Sequence, residues 1–292
     1  MSIESFRAPG GAQLHYRYDD FTDPWKDAPT IVLAHGFGGF SARWYSWVPL
    51  LGAHFKVVRV DLRGLGLSHI PLASYKNVWP DTLTADAIAL LEHLKVKKVV
   101  WVGEHTGALV GLMLSMRVPD RLHAVGVMGA PPRPLAMTKY KTDETSARQE
   151  VLGLRESPEY MRKRGMRQWY IDSVKYGANG HGAGPQFSPA YNAWYLDQMA
   201  QEDPLVYAAF RDSMVDINVI PLLKDIGVPV LWLDATNKPV LTEDAGADII
   251  KSHPKIRFRE IEGTGGQIAY QYPQVCVAEV RKFLENLNLW PA

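Results

Sequence analysis

The chain is short of cysteine: among 292 residues only Cys276 is present. One thiol excludes an intramolecular disulfide and leaves no thiolate cluster for zinc or an iron–sulfur centre. A charge excess is also lacking, since 32 Lys plus Arg stand against 31 Asp plus Glu. Without a summed field of one sign there is no electrostatic reason to expect DNA, RNA or an anionic membrane as partner, and a small-molecule substrate or ligand is the expected one. Long apolar runs are missing as well. No stretch reaches membrane-spanning length free of charge, and the opening MSIESFRAPGG has no basic start followed by an apolar run, so the expected location is the cytoplasm. The sequence does not fix the oligomeric state.

What is present is material for a large core: 47% of the residues are hydrophobic and 22% charged, a balance that points to a globular chain and not to disorder. Short β-branched runs at 30–36, 56–62, 98–104, 124–130, 228–234 and 256–263 alternate with helical patterns. Continuous apolar strands separated by helices predict a doubly wound, mostly parallel α/β sheet covered on both faces. Among the helices, 82–94 carries Leu83, Ala87, Leu90, Leu91 and Leu94 as one stripe. Ahead of the alternation, residues 2–19 read as an antiparallel hairpin around Gly10 and Gly11. The rhythm breaks over 131–220, a charged, aromatic-rich stretch too long for a crossover, which is expected to form a helical cap on a core made of 1–130 and 221–292.

In an open parallel sheet, ligands gather beyond the carboxyl ends of the strands, so the loops that follow strands carry the chemistry. Four stand out. His35-Gly36-Phe37-Gly38-Gly39 is glycine-rich enough to turn an amide into a site. Asp61-Leu62-Arg63-Gly64 follows the next strand, and its Asp61 and Arg63 are expected to fix that turn. Gly103-Glu104-His105-Thr106-Gly107 joins a buried strand to an apolar helix. Gly263-Thr264-Gly265-Gly266 follows the last strand.

With these loops in this order, the chain resembles the α/β-hydrolase family, in its cap-bearing branch of esterases, epoxide hydrolases, dehalogenases, C–C bond hydrolases and cofactor-independent dioxygenases. The resemblance covers nearly the whole chain. It implies backbone oxyanion donors at Phe37 and Thr106, and it makes a fourth absence conspicuous. The Gly-x-Ser-x-Gly elbow reads Gly-Glu-His-Thr-Gly, with His105 in place of serine. The ungapped acid loop from Pro229 to Pro239 puts Lys238 where the carboxylate belongs, and Gly-Thr-Gly-Gly puts Gly266 where the base histidine belongs. Serine activation needs a base and an orienting carboxylate, so acyl-serine hydrolysis is excluded on this alignment.

What remains is a backbone oxyanion hole beside a histidine able to act as general acid, general base or nucleophile. Lys238 is the second catalytic candidate, to bind a substrate carboxylate or, desolvated to a neutral amine, to form a Schiff base, and Gly266 leaves space for substrate. Cap aromatics, Trp169, Tyr191 and Trp194 among them, are expected to line an apolar pocket with His35, suiting an apolar or aromatic molecule. Glu104 occupies a position that ordinarily points away from the apex, and Asp234 is a relocated carboxylate only if it reaches the site. No cofactor and no metal is expected: a His35, His105 and His181 set lacks ligand spacing. Three readings stay open: an enzyme working through His105, a non-catalytic ligand-binding protein, and an engineered variant of a hydrolase.

Overall fold

The computed structural model describes residues 1–71, 80–132, 162–175, 187–213, 218–237, 241, 245–264 and 267–291. Eight strands form one sheet: β1 (Ser2–Arg7), β2 (Gln13–Asp19), β3 (Thr30–Ala34), β4 (Lys56–Val60), β5 (Val99–Glu104), β6 (Leu122–Met128), β7 (Val230–Asn237) and β8 (Ile256–Thr264). Their order is β1-β2-β4-β3-β5-β6-β7-β8. The β1–β2 and β2–β4 pairings are antiparallel and the rest parallel. The leading hairpin thus joins the main sheet along β4.

The helices used below are α1 (Asp81–His93), α2 (Thr106–Arg117), α3 (Met166–Lys175), α4 (Pro189–Met199), α5 (Pro204–Ser213), α6 (Ala245–Ser252) and α7 (Pro273–Asn286). Strand side chains alternate between faces, and the core divides accordingly. Val32, Val58, Trp101, Val125 and Trp232 face one side, with Leu83, Leu90 and Leu91 of α1 and Leu109 and Leu112 of α2. Ile31, Leu33, Val57, Val100, Val102 and Leu231 face the other, with Cys276, Val280 and Leu284 of α7. Each such aliphatic side chain contributes about 1.5–3 kcal/mol by leaving water. Covering on both faces is why every residue of β3 and β5 is buried.

From β3 the chain moves outward to β4 and then crosses to β5 on the opposite side of β3. That reversal opens a crevice at the carboxyl ends of β3 and β5. Between β6 and β7 the described residues form α3, α4 and α5. Their aromatic side chains Trp169, Tyr170, Tyr195, Tyr207 and Phe210 are buried together, and the Tyr195 hydroxyl donates to the Gly38 carbonyl of the loop after β3. Trp169 stands edge-on to Tyr170 and Tyr207 within this cluster.

The end of β7 differs from its sequence reading. β7 continues past Asp234 to Asn237, because β8 keeps pairing with it through Asn237 opposite Thr264 across a register shift. Asp234 therefore lies inside the strand, where its carboxylate accepts the Ala235 and Leu241 amides at 2.8 and 2.7 Å. Among the described residues no helix is long and apolar enough to cross a membrane.

Candidate active site

The turn from β5 into α2 sets the site. His105 holds φ 49° and ψ −118°, a left-handed backbone that costs a residue with a Cβ about 1–3 kcal/mol and persists only where the surroundings impose it. They impose it here through contact. A Cβ on Gly103 would lie 2.2 Å from the Gly107 carbonyl carbon, and one on Gly107 would lie 2.2 Å from the Ala34 carbonyl oxygen. Only glycine lets strand, turn and helix approach so closely. The His105 N–H donates to Met128 at 3.3 Å, and its carbonyl accepts from Ala108 and Leu109.

The loop after β3 packs directly on this turn. A Cβ on Gly36 would sit 2.3 Å from the His105 Cβ, so the neighbouring Phe37 amide is held close to the apex. Neither the Phe37 nor the Thr106 N–H has an acceptor among the described residues. Phe37 itself stacks under the cap, its ring 4.3 Å from Tyr207 and 5.6 Å from Phe210. His105 is half-buried, and its imidazole makes no hydrogen bond among the described residues. Burial, with help from the nearby Arg43 cation, pushes its pKa down to about 4, so the ring is neutral at neutral pH.

Arg43 and Gln267 belong to this site although the sequence did not single them out. Arg43 comes from the 3-10 stretch Ser41–Trp47 and is buried. Its Nε donates to the Tyr191 hydroxyl at 2.9 Å, and its Nη2 donates to Gln267 Oε1 at 2.6 Å. The guanidinium lies 3.6 Å from the centre of the Tyr270 ring. Gln267 in turn donates through Nε2 to Glu104 at 3.2 Å, and the other Glu104 oxygen accepts the Gly36 amide at 2.8 Å. Glu104 thus turns toward the crevice and ties β5 to the loop after β3. Burial outweighs Arg43 and these two donors, and raises the Glu104 pKa to about 7.

The remaining expected residues divide. Tyr191 meets Arg43. Trp194 packs edge-on to Phe40 and lines a pocket beside Arg43. His35 is fully buried, its Nδ1 2.9 Å from the Gly36 carbonyl and its Nε2 accepting the Leu62 amide at 3.1 Å. With Nδ1–H donating and Nε2 accepting, both ring nitrogens serve the backbone and none is left for a ligand or metal. Trp169, expected to line the pocket, is instead buried in the cap's own aromatic cluster. Lys238, Gly266 and His181 lie outside the described residues. Among those described, no three His, Cys, Asp or Glu side chains come together as metal ligands.

A left-handed apex between a buried parallel strand and a buried helix, flanked by an amide-bearing glycine loop and covered by helices, defines a fold class. The family model described as α/β hydrolase fold matches residues 29–156. The chain has the α/β-hydrolase fold. It is 26% identical to 3-oxoadipate enol-lactonase 2 of Acinetobacter baylyi over 219 residues, 74% of each chain. It is 36% identical to epoxide hydrolase A of Mycobacterium tuberculosis over 110 residues, 37% of this chain and only 34% of that protein. Among solved structures, the esterase RhEst1 of Rhodococcus sp. ECU1013 superposes with a TM-score of 0.75 at 23% identity, over 98% of this chain and 100% of that one, a likeness of fold.

Proposed function

We propose that the chain is a cofactor-independent enzyme acting on a small, apolar or aromatic carbonyl compound, with His105 as the working side chain at the elbow. The observation that carries this reading is the juxtaposition of His105 with the Phe37 and Thr106 amides. A neutral imidazole with no competing hydrogen bond stands beside two N–H groups that have no acceptor among the described residues. As substrate carbonyl becomes oxyanion, those amides gain strength, each contributing about 3–4 kcal/mol in such a setting. Meanwhile the imidazole lone pair takes a proton from substrate or from an attacking water, or itself attacks the carbonyl carbon to form an acyl-imidazole. Relatives named as a lactonase and an epoxide hydrolase support a reaction of this kind on small molecules. Lys238 and Gly266, outside the described residues, are proposed to belong to the substrate side of the site.

The test uses an aromatic lactone such as dihydrocoumarin and a p-nitrophenyl ester series. His105→Ala should lower turnover at least about 100-fold, the usual contribution of a positioned acid or base, with the melting temperature preserved. An acyl adduct on His105 by mass spectrometry marks the nucleophile, and its absence during turnover marks the base. Turnover near the wild-type level in His105→Ala overturns the reading. One observation favours a second reading, a non-catalytic binding protein: a histidine whose pKa is pushed to about 4 is a weak base. Ligand recovered unchanged from wild-type protein across the series supports that alternative.

A further inference from the structure

We propose that a pocket on the outer side of Arg43 binds the carboxylate of an aromatic organic anion. The pocket has a volume of about 780 Å³, and Arg17, Arg43 and Arg59 line it together with Tyr191, Trp194 and Tyr270. No Asp or Glu lines it among the described residues. Three cations around one cavity without a lining carboxylate is an arrangement that an anion completes.

The hydrogen bonds of these arginines are left incomplete in a matching way. Arg43 and Arg59 are both more than nine-tenths buried, and each has one guanidinium nitrogen, Nη1 and Nη2 respectively, with no partner among the described residues. Arg59 has Asp19 at 2.7 Å on its Nε edge, whereas Arg43 makes no ion pair among the described residues and is met by Tyr191, Gln267 and the Tyr270 face. Arg17 donates through Nε to Ser41 at 3.1 Å and lines the pocket from a half-buried position. A buried guanidinium without a counter-charge is costly unless something neutralises it, and a carboxylate does so through short charge-assisted hydrogen bonds. The rings of Tyr191, Trp194 and Tyr270 offer flat apolar surface beside the cations, which selects an anion with an aromatic body.

The pocket shares Arg43 with the elbow, but its occupancy does not depend on what His105 does. Where His105 is the base, an anion on Arg43 would also remove the cation that helps to hold the imidazole acidic, coupling ligand charge to reactivity.

Calorimetric titration of the full chain with benzoate and 2-naphthoate, against benzamide and 2-naphthamide as neutral isosteres, tests the proposal without requiring turnover. The carboxylates should bind at least about tenfold more tightly than the amides, and Arg43→Gln and Arg17→Gln should each erase most of that preference. Arg17 is half-buried, so Arg17→Gln keeps the test decisive even if Arg43→Gln fails to fold. Equal binding of acid and amide, no binding of either carboxylate, or a preference untouched by Arg17→Gln overturns the proposal. Phenyl phosphate binding more tightly than benzoate overturns the carboxylate assignment.

Discussion

The loop after β4 and the turn after β5 both bury charge at the carboxyl end of the sheet, and they handle it in opposite ways. After β4, Arg63 and Asp86 meet side by side, with Nε donating to Oδ2 at 2.7 Å and Nη2 to the other oxygen. Nearby, Asp61 is saturated by the Ser41 amide and hydroxyl and the Leu67 amide. After β5, Glu104 and Arg43 do not touch; Gln267 stands between them, and each charged group is met by neutral partners. Directly paired charge holds a loop in one shape. Charge separated by a neutral amide keeps its field, which is what a site needs if an incoming ligand is to be felt.

The comparison breaks most visibly if one half of the direct pair is removed. Asp86→Ala leaves the Arg63 guanidinium, 4% exposed, without its carboxylate. Breaking a buried pair from one side costs about 3–5 kcal/mol, and a thermal or urea unfolding midpoint should register that loss in full. The double variant Asp86→Leu with Arg63→Met should recover much of it, since an apolar pair leaves no buried charge. A loss below about 1 kcal/mol, the scale of an exposed pair, would place this pair with surface ion pairs and remove the contrast.

At the elbow the expected effect depends on pH. Glu104 has its pKa raised in the folded chain to about 7 from an ordinary value of 4.5. The folded state therefore binds that proton more tightly than the unfolded chain. The Glu104 contribution is fully present below pH 4.5 and is lost as pH rises through about 7, by up to about 3 kcal/mol for a difference of this size. Glu104→Gln, which keeps an acceptor for the Gly36 amide, should flatten that fall. Melting temperatures of both proteins from pH 5 to 8.5 decide it: parallel curves mean that Glu104 is already ionised at pH 5. The same substitution should remove any break near pH 7 in the rate profile, while His105, neutral above about pH 4, adds none there.

The parallel sheet was legible because strands buried on both faces must read as unbroken apolar runs, and because Gly103 and Gly107 sit at the spacing a strand-to-helix elbow requires. Asp61 and Arg63 were legible as turn-fixing groups for a similar local reason. Arg43 was not. Its stretch, SARWYSW, matches no motif, and its burial is decided by Tyr191, Gln267 and Tyr270, partners 148 to 227 positions along the chain. The one available signal was an arginine set among Trp44, Tyr45 and Trp47. Glu104 was misjudged because an elbow position was weighed by its usual direction, whereas here the Gly36 amide draws its carboxylate toward the crevice. Trp169 failed for the opposite reason: helical periodicity cannot tell an aromatic that faces a ligand from one that builds the cap's interior.

The smallest expected effect tests the ground between the two regions. Tyr195 donates its hydroxyl to the Gly38 carbonyl, a neutral tie from α4 onto the loop that carries the Phe37 amide. Tyr195→Phe removes the donor and keeps the ring stacked near Phe40, so it should cost about 1 kcal/mol. Because neither partner is charged, that cost should be constant from pH 5 to 8.5, unlike the effect at Glu104. If the cost instead grows as pH rises through 7, Tyr195 is coupled to Glu104 through Arg43, whose guanidinium lies 5.1 Å from its ring. The neutral tie would then belong to the same electrostatic unit as the elbow, and the boundary between scaffold and site would move outward to include Tyr195.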